Sequence, residues 1–225
     1  MKTENLTTAK VGATEQITED NIISLYMDYV LENGPHPQSV YKFCKDNGIT
    51  EERFYQFFGS FEGVQKTIWK RFYDNAFEVI NRTPEYESFN TREKLLTFYY
   101  TFFEILTANR SYVLINLSQG TAPLKNLEQL KGLRVRVKDY ASELVREDNE
   151  RSAKFTRKSE TVFSEATWLQ LMFLIRFWLK DDSARFESTD VAIEKSVNTV
   201  FDIFDTTPLD RVIDFGKFLW KERMS

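Results

Sequence analysis

The amino-acid sequence predicts an all-α protein in which a small helix-turn-helix domain precedes a larger helical bundle. Apolar residues recur at three- and four-residue spacing along most of the 225 residues, and this spacing places them on one helix face. Only 8 Gly and 5 Pro interrupt these runs, whereas a many-stranded fold needs frequent turn residues. Helix-capping residues precede several of the runs.

The first helix is predicted from its capping residue. Residues 1–14 are polar and aperiodic, which predicts a mobile tail. Thr18 can cap a helix that carries acidic residues in its first turn and runs to about Glu32. The sequence Asn33-Gly34-Pro35 then ends the helix.

Two short helices around a tight glycine turn follow in residues 15–59, the predicted helix-turn-helix domain. Ser39 can cap the first of them, and Gly48 suits the left-handed position that ends it. Thr50 can cap the second short helix. In such a motif the second short helix is the one that enters a major groove of DNA.

Residues 60–225 are predicted to form a second domain of longer helices. Ser60 can cap a helix that ends before Pro84. A capping box, Asn90-Thr91-Arg92-Glu93, opens a helix that runs to about Asn109. This helix is apolar nearly all round, which is typical of a helix at the centre of a bundle.

The bundle continues with a shorter helix at residues 112–117. Residues 133–137 alternate like a strand, but the same segment carries a better helical stripe: Leu130, Leu133, Val137, Tyr140 and Leu144. We therefore predict a helix there. Another helix that is apolar all round spans residues 159–180, a further helix begins at Ser188, and the last begins at Pro208.

The composition limits the compartment and the kind of site. A net charge of −4 gives no general attraction to nucleic acid or to an anionic membrane. The single cysteine, Cys44, and the single histidine, His36, exclude an internal disulfide and a multi-histidine metal site. The longest apolar stretch, Trp168 to Leu179, is about 12 residues, whereas a membrane-spanning helix needs about 20. With no signal peptide, we expect a cytoplasmic protein without stable membrane insertion.

Catalytic patterns are not found in the sequence. One loop histidine gives no Ser-His-Asp set, and the paired acids Asp181 and Asp182 lie at a predicted helix end. There is no glycine-rich phosphate loop. We expect a protein that is not an enzyme and that holds no metal or other cofactor.

The order of these parts resembles the TetR family of bacterial repressors over about residues 18–69. The family motif has a small residue that caps its second helix, then Ile-Ala, Ala-Gly-Val-Ser, Leu-Tyr and His-Phe. Ser39 fits the cap. The remaining counterparts in this chain are Phe43-Cys44, Asn47-Gly48-Ile49-Thr50, Phe54-Tyr55 and Phe57-Phe58. Beyond this segment the resemblance rests on the number and length of the helices.

The resemblance implies a homodimeric transcriptional regulator. Its N-terminal heads would bind double-stranded DNA, and residues 60–225 would dimerise and enclose a small hydrophobic ligand that modulates DNA binding. The dimer face would come from the last long helices, around Phe173, Phe177, Val197, Phe201 and Phe204. The residues assigned to DNA contact are Lys42, Thr50, Arg53, Tyr55 and Gln56.

Each DNA-contact assignment has a structural alternative. Tyr55 either contacts a phosphate, as is common in this family, or is a core tyrosine. Arg53 and Gln56 either read base edges or are solvated surface residues.

The chain departs from the family motif at positions that face DNA. The family's lysine at the start of its fourth helix is Phe61 here, and the second short helix opens with Glu51-Glu52. Residues 15–72 carry six cations and nine acids, a net charge of −3. These departures favour an alternative function, a TetR-fold protein that has lost DNA binding and carries a lipid or another hydrophobic ligand.

A ligand pocket is predicted in the second domain from its aromatic residues. The residues assigned to it are Tyr99, Phe103, Tyr112, Tyr140, Trp168, Phe173 and Arg176. For each aromatic residue the alternative is an ordinary place in the core. Arg176 either reaches the surface or faces a cavity and pairs with an acid. A basic segment from Lys131 to Lys158, with nine cations and five acids, suits either an anionic ligand or partner, or a solvated helix face.

Overall fold

The protein is all-α, as predicted. The computed structural model describes residues 17–34, 36–118, 127–151 and 158–206. These ranges contain helices and connecting turns and no β-strand. The predicted tail at residues 1–14 and the helix predicted to begin at Pro208 lie outside the described residues.

The chain divides into two compact units between Phe61 and Glu62. The first unit contains α1 (Glu19–Asn33), α2 (Val40–Asp46) and α3 (Glu51–Phe57). Each of these helices begins at its predicted cap. The hydroxyl oxygens of Thr18, Ser39 and Thr50 accept backbone N–H groups three residues further on, at 3.2, 3.2 and 3.1 Å. The turn between α2 and α3 uses Gly48 with φ +68°, a conformation that favours glycine.

An aromatic core holds the three helices of the first unit together. The ring of Phe61 lies 5.5 Å from the rings of Tyr26, Phe43 and Phe54, one on each helix. Phe43 and Phe54 are fully buried and meet edge to face at 6.2 Å. The aromatic side chain at position 61 therefore has a packing role within this unit.

Most of the helices described in the second unit are longer than those of the first unit. Its first helix is α4 (Phe61–Ile80), which belongs to this unit from Glu62 onward. The others are α5 (Thr91–Ala108), α6 (Arg110–Ser118), α7 (Lys131–Arg151), α8 (Glu160–Leu179) and α9 (Glu187–Thr206). Single 3-10 turns occur at Pro84–Ser88 and Ala184–Phe186.

Two local predictions for this unit are confirmed. Asn90 and Glu93 form the predicted capping box at the start of α5. Residues 133–137, which alternate like a strand in sequence, lie inside the helix α7. The apolar stripe at helical spacing predicted the correct structure for this segment. Its members Leu133 and Val137 are both fully buried on one face of the helix.

Helix α5 is central to the core of the second unit. Its residues Leu95, Phe98 and Phe102 are fully buried. The buried hydroxyl of Tyr99 is 3.1 Å from both the Thr167 carbonyl oxygen and the Gln170 side-chain oxygen of α8. This arrangement satisfies a polar group that would otherwise be costly to bury.

Helices α7 and α8 run antiparallel. Arg146 near the end of α7 pairs with Glu160 at the start of α8, at 3.3 Å. Earlier in α7, Lys138 and Arg134 pair with Glu165, at 2.5 and 2.9 Å. The end of α7 therefore lies beside the start of α8, and the earlier part of α7 lies beside the following turns of α8.

A buried carboxylate fixes the connection between α8 and α9. Asp181 accepts hydrogen bonds from the backbone N–H groups of Ser183 and Thr189, both at 2.9 Å, and from their hydroxyls, both at 2.6 Å. Burial alone would raise the pKa of Asp181, but these hydrogen bonds outweigh it and lower the pKa to about 2. The carboxylate therefore stays ionised at neutral pH and caps the start of α9.

Candidate functional site

Arg53, a predicted base-reading residue on α3, is engaged within the first unit. Its guanidinium donates to the backbone carbonyl of Ile17, at 2.8 Å from Nε, and to the side-chain oxygen of Gln56, at 2.6 Å from Nη1. The same group lies 4.6 Å from the centre of the Phe57 ring. Arg53 therefore connects α3 to the backbone that precedes α1. It also engages the side-chain oxygen of Gln56, which was predicted to read bases.

The other residues assigned to DNA contact are accessible. Tyr55 is 53% exposed, so it is not the core tyrosine that was its alternative. Lys42 is also exposed. Thr50 is exposed as well, although its hydroxyl already accepts the N–H of Arg53 as the cap of α3.

The first unit carries excess negative charge. From residue 17 to residue 61 there are three cations and seven acids, a net charge of −4. Glu51 and Glu52 are exposed at the start of α3. Because Arg53 is held by Ile17, Lys42 and Lys45 are the exposed cations of this range.

The second unit contains a groove between the start of α7 and the middle of α8. Its volume is about 250 Å³. The lining residues are Leu127, Glu128, Leu130, Lys131, Arg134, Trp168 and Met172. Trp168 thus lies in a surface groove, where both an apolar ring and charged side chains are available to a ligand.

Two carboxylates at this groove each hold two cations. Glu128 lies 2.7 Å from Lys131 and 3.4 Å from Lys66 of α4. The hydrogen bond from Lys131 is the largest cause of a lowered pKa for Glu128. Glu165 pairs with Lys138 and Arg134, and the hydrogen bond from Lys138, followed by that from Arg134, lowers its pKa. Both carboxylates are therefore ionised, and each is already paired with two cations.

The groove segment, which we define as residues 127–134, is also bonded to α4. The side-chain oxygen of Gln129 accepts the indole N–H of Trp69 at 2.9 Å, and both residues are buried. A Cβ at Gly132 would lie 3.2 Å from Cγ of Lys70, so the backbone of α7 approaches α4 closely there. The groove segment therefore has one face on the groove and one on α4.

Four residues assigned to the pocket lie in the core of the second unit. Tyr99, Phe103, Tyr112 and Tyr140 are all buried, and none of them lines the groove. The hydroxyl of Tyr140 donates to the backbone carbonyl of Lys94 at 3.0 Å. Their burial suits an ordinary place in the core, the alternative for each of them, and their assignment to a ligand pocket stays a prediction.

Phe173 and Arg176 lie on the outer face of α8, and they do not line the groove described here. Arg176 is exposed, so it reaches the surface and does not face a buried cavity. Phe173 forms an apolar stripe at four-residue spacing with Leu169 and Phe177, with exposed fractions of 54%, 66% and 38%. This stripe, residues 169, 173 and 177, is an unusual exposed apolar surface on a single helix.

The predicted dimer face needs a correction on α9. Val197 and Phe201 are 0% and 3% exposed within one chain, so they belong to its own core. Phe204 packs against Phe163, with their ring centres 5.1 Å apart. The sequence could not separate these residues from Phe173, because apolar side chains on both faces of a helix follow the same spacing.

The apolar lining of the groove was missed in the sequence analysis. Leu127, Leu130 and Met172 carry no signal that separates them from core residues. The available signal was the basic segment, which includes Lys131 and Arg134. Only the antiparallel pairing of α7 and α8 places those cations beside Trp168.

Two further observations bear on the class of site. In the described ranges, no group of three or more His, Cys, Asp and Glu residues is placed to hold a metal ion. None of the described helices is long and apolar enough to cross a membrane.

Comparisons with known proteins give one family and a similar solved structure. Residues 94–219 match the family model described as tetracyclin repressor-like, C-terminal domain. A similar solved chain is the fatty acid degradation regulator FadR from Bacillus halodurans, at 20% sequence identity and a TM-score of 0.50. The similarity covers 84% of this chain and 99% of that chain, and at this identity it concerns the fold alone. No curated protein matches the chain.

Proposed function

This chain belongs to the tetracycline repressor-like family, and on that basis we propose that it is a transcriptional regulator. In this proposal the first units of a homodimer bind double-stranded DNA. A small hydrophobic ligand in the second unit modulates that binding. The FadR chain of similar fold is a fatty acid degradation regulator, which is consistent with a regulatory role for this architecture.

The groove segment is the observation that carries the ligand-modulated part of the proposal. It lines the groove through Leu130 and Arg134, and it is bonded to α4 through Gln129 and Trp69. Helix α4 begins at Phe61, in the core of the first unit. A ligand that shifts the groove segment would act on α4 and so favour one of two states of the regulator.

The residues assigned to DNA binding have two proposed roles: some contact phosphates, and one positions the helix that does so. Lys42 and Tyr55 are exposed and can contact phosphates. Thr50 and Gln56 are exposed on the same helix-turn-helix and extend that surface. Arg53 acts as a positioning residue, because its guanidinium already binds the Ile17 carbonyl and Gln56.

The proposed homodimer uses the exposed stripe on α8. Leu169, Phe173 and Phe177 present apolar side chains at the spacing with which one helix packs on another. A second copy would bury this stripe in a symmetric interface. The proposed ligand site in each copy is the groove at Trp168.

The test is a footprint on the DNA upstream of the gene that encodes this chain, at about 50 mM salt, where phosphate contacts bind most strongly. We expect protection of two half-sites that lie about one duplex turn, or a small multiple of it, apart. Lys42→Gln should weaken binding and Glu52→Gln should strengthen it, since each changes the charge of the DNA-facing helices by one unit. Lys195→Gln, at an exposed position of α9, is the matched control. Absence of protection at low salt would overturn the DNA-binding part.

Two observations favour a second function, that of a carrier for a hydrophobic ligand. Arg53 and Gln56 hold each other, and the first unit has a net charge of −4 between residues 17 and 61. Both features reduce the capacity for duplex recognition. Native mass spectrometry of the purified chain tests this function. A co-purified hydrophobic molecule together with no DNA protection supports the carrier, and DNA protection that responds to that molecule supports the regulator.

A further inference from the structure

The groove has an excess of positive charge. Its charged lining residues and their ion-pair partners comprise three cations and two carboxylates, which leaves a net charge of +1. The cations are Lys66, Lys131 and Arg134, and the carboxylates are Glu128 and Glu165. Lys138 also pairs with Glu165, but it does not line the groove. The whole chain has the opposite net charge, −4. The excess is therefore a local property of the groove.

The same groove offers an apolar surface. Trp168 and Met172 of α8 are half-buried and face the groove together with Leu127 and Leu130. An alkyl chain laid against these side chains would remove apolar area from water. Cations and apolar side chains thus occur side by side in one depression.

We infer that this groove binds an amphiphile with an anionic head group, a carboxylate or a phosphate. The alkyl chain lies against Trp168 and Met172, and the head group binds Arg134 and Lys131. This inference names the ligand class for the proposed function, and it rests on that function for the role of the groove. An arginine suits either head group, because its guanidinium can donate two parallel hydrogen bonds to one carboxylate or phosphate.

The present ion pairs disfavour a cationic head group. Glu128 and Glu165 each already hold two cations within 3.4 Å, so a cationic head group would place a third positive charge beside either carboxylate. A cationic ligand would add to the excess of +1. Arg134 and Lys131 have side chains that are 48% and 69% exposed, so an anionic head group can reach them from solvent and compete with Glu165 and Glu128 for them.

The size of the groove guides the choice of probe. Its volume of about 250 Å³ lies below the roughly 300–1000 Å³ of pockets for drug-sized ligands. We therefore choose short alkyl probes of equal chain length: octanoate, octyl phosphate and octanol. They share the apolar part and differ in head group, so their comparison isolates the charge.

The experiment is isothermal titration of the purified full chain, without DNA, with each of the three probes. We expect octanoate, octyl phosphate or both to bind at least about tenfold more tightly than octanol, the effect of one charge-assisted contact. The ratio between the two anions identifies the preferred head group.

Two variants with opposite expected signs link this preference to the groove. Arg134→Gln should weaken binding of the preferred anion about tenfold and leave octanol unchanged. Glu165→Gln should strengthen anion binding, because it releases Arg134 from its present partner. Arg146→Gln is the matched control: it breaks the exposed Arg146–Glu160 pair on the same helix, outside the groove, and should change nothing.

Three results would overturn the inference: equal affinity for all three probes, no measurable binding of any, or an anion preference that survives Arg134→Gln. Failure of DNA binding is a different result, because no step of this titration involves DNA. A chain that binds octanoate in the groove and protects no DNA would contradict the regulator and leave the ligand class standing.

Discussion

Replacing Arg53 with alanine should destabilise the first unit, because Arg53 connects α3 to the backbone ahead of α1. The residue donates to the Ile17 carbonyl and to Gln56, and it stacks on Phe57. If Arg53 served only to read bases, the same substitution would alter DNA affinity and leave stability unchanged. The two roles therefore predict different results in the absence of DNA.

The expected loss can be worked from these contacts. A hydrogen bond to a charged group contributes about 1.5–3 kcal/mol, and an exposed cation–π contact about 0.5–1 kcal/mol. Arg53 is only half-buried, and the Ile17 carbonyl can be rehydrated when the guanidinium is removed. We therefore take values at the low end and expect a loss of about 2 kcal/mol in the free energy of unfolding of this unit.

Hydrogen exchange suits this measurement because it reports the opening of each unit separately. The amides of α1 should exchange about 30-fold faster in Arg53→Ala, the factor that corresponds to 2 kcal/mol. Gln56→Ala is the matched control, since it removes an exposed acceptor and leaves the bonds to Ile17. In Gln56→Ala the exchange rate of the α1 amides should change only a few-fold. Unchanged exchange in Arg53→Ala, together with altered DNA specificity, would refute the positioning role.

Three other predictions test the second unit. Asp181→Asn should lower stability by about 1–3 kcal/mol at pH 7. Because the folded pKa of Asp181 is depressed to about 2, its contribution is present above the unfolded pKa near 3.9 and is lost as pH falls through 2. Thermal unfolding of both proteins should therefore converge toward pH 2, and a gap independent of pH would contradict this. Gln129→Leu should leave the buried Trp69 N–H without its acceptor, at a cost of about 1–3 kcal/mol, and reduce the effect of an added ligand on DNA affinity. If the ligand changed DNA affinity equally in the unmodified protein and in Gln129→Leu, the Trp69–Gln129 hydrogen bond would not couple the groove to DNA binding. Phe173→Glu should give a monomer in sedimentation at micromolar concentration, whereas a dimer of unchanged stability would place the interface elsewhere.

Local features of the structure follow from short sequence patterns. Ser39, Thr50 and Asn90 cap the helices at which they were predicted to act, because each cap uses a side chain and a backbone N–H only three residues apart. Gly48 has the left-handed backbone that its position predicted. Such features depend on neighbours in sequence and need no knowledge of the packed chain.

The groove depends on residues that are distant in sequence. Trp168 was assigned to a ligand pocket together with Tyr99 and Tyr140, but these two residues are buried and do not line the groove. Its actual neighbours, Leu130 and Arg134, lie more than 30 positions earlier and meet it through the antiparallel pairing of α7 and α8. Helical spacing shows that a residue faces inward or outward, but it does not identify what it faces.

The sequence by itself determined the all-α class, most helix starts and the helix-turn-helix order, because helical periodicity and capping are local properties of the chain. Tertiary structure alone decided what the ambiguous side chains do. It placed Phe61 in an aromatic core, tied Arg53 to Ile17, exposed Phe173 and buried Phe201. The contacts of Phe61 and Arg53 and the burial of Phe201 depend on partners elsewhere in the chain, and Phe173 is exposed because no described part of the folded chain covers it.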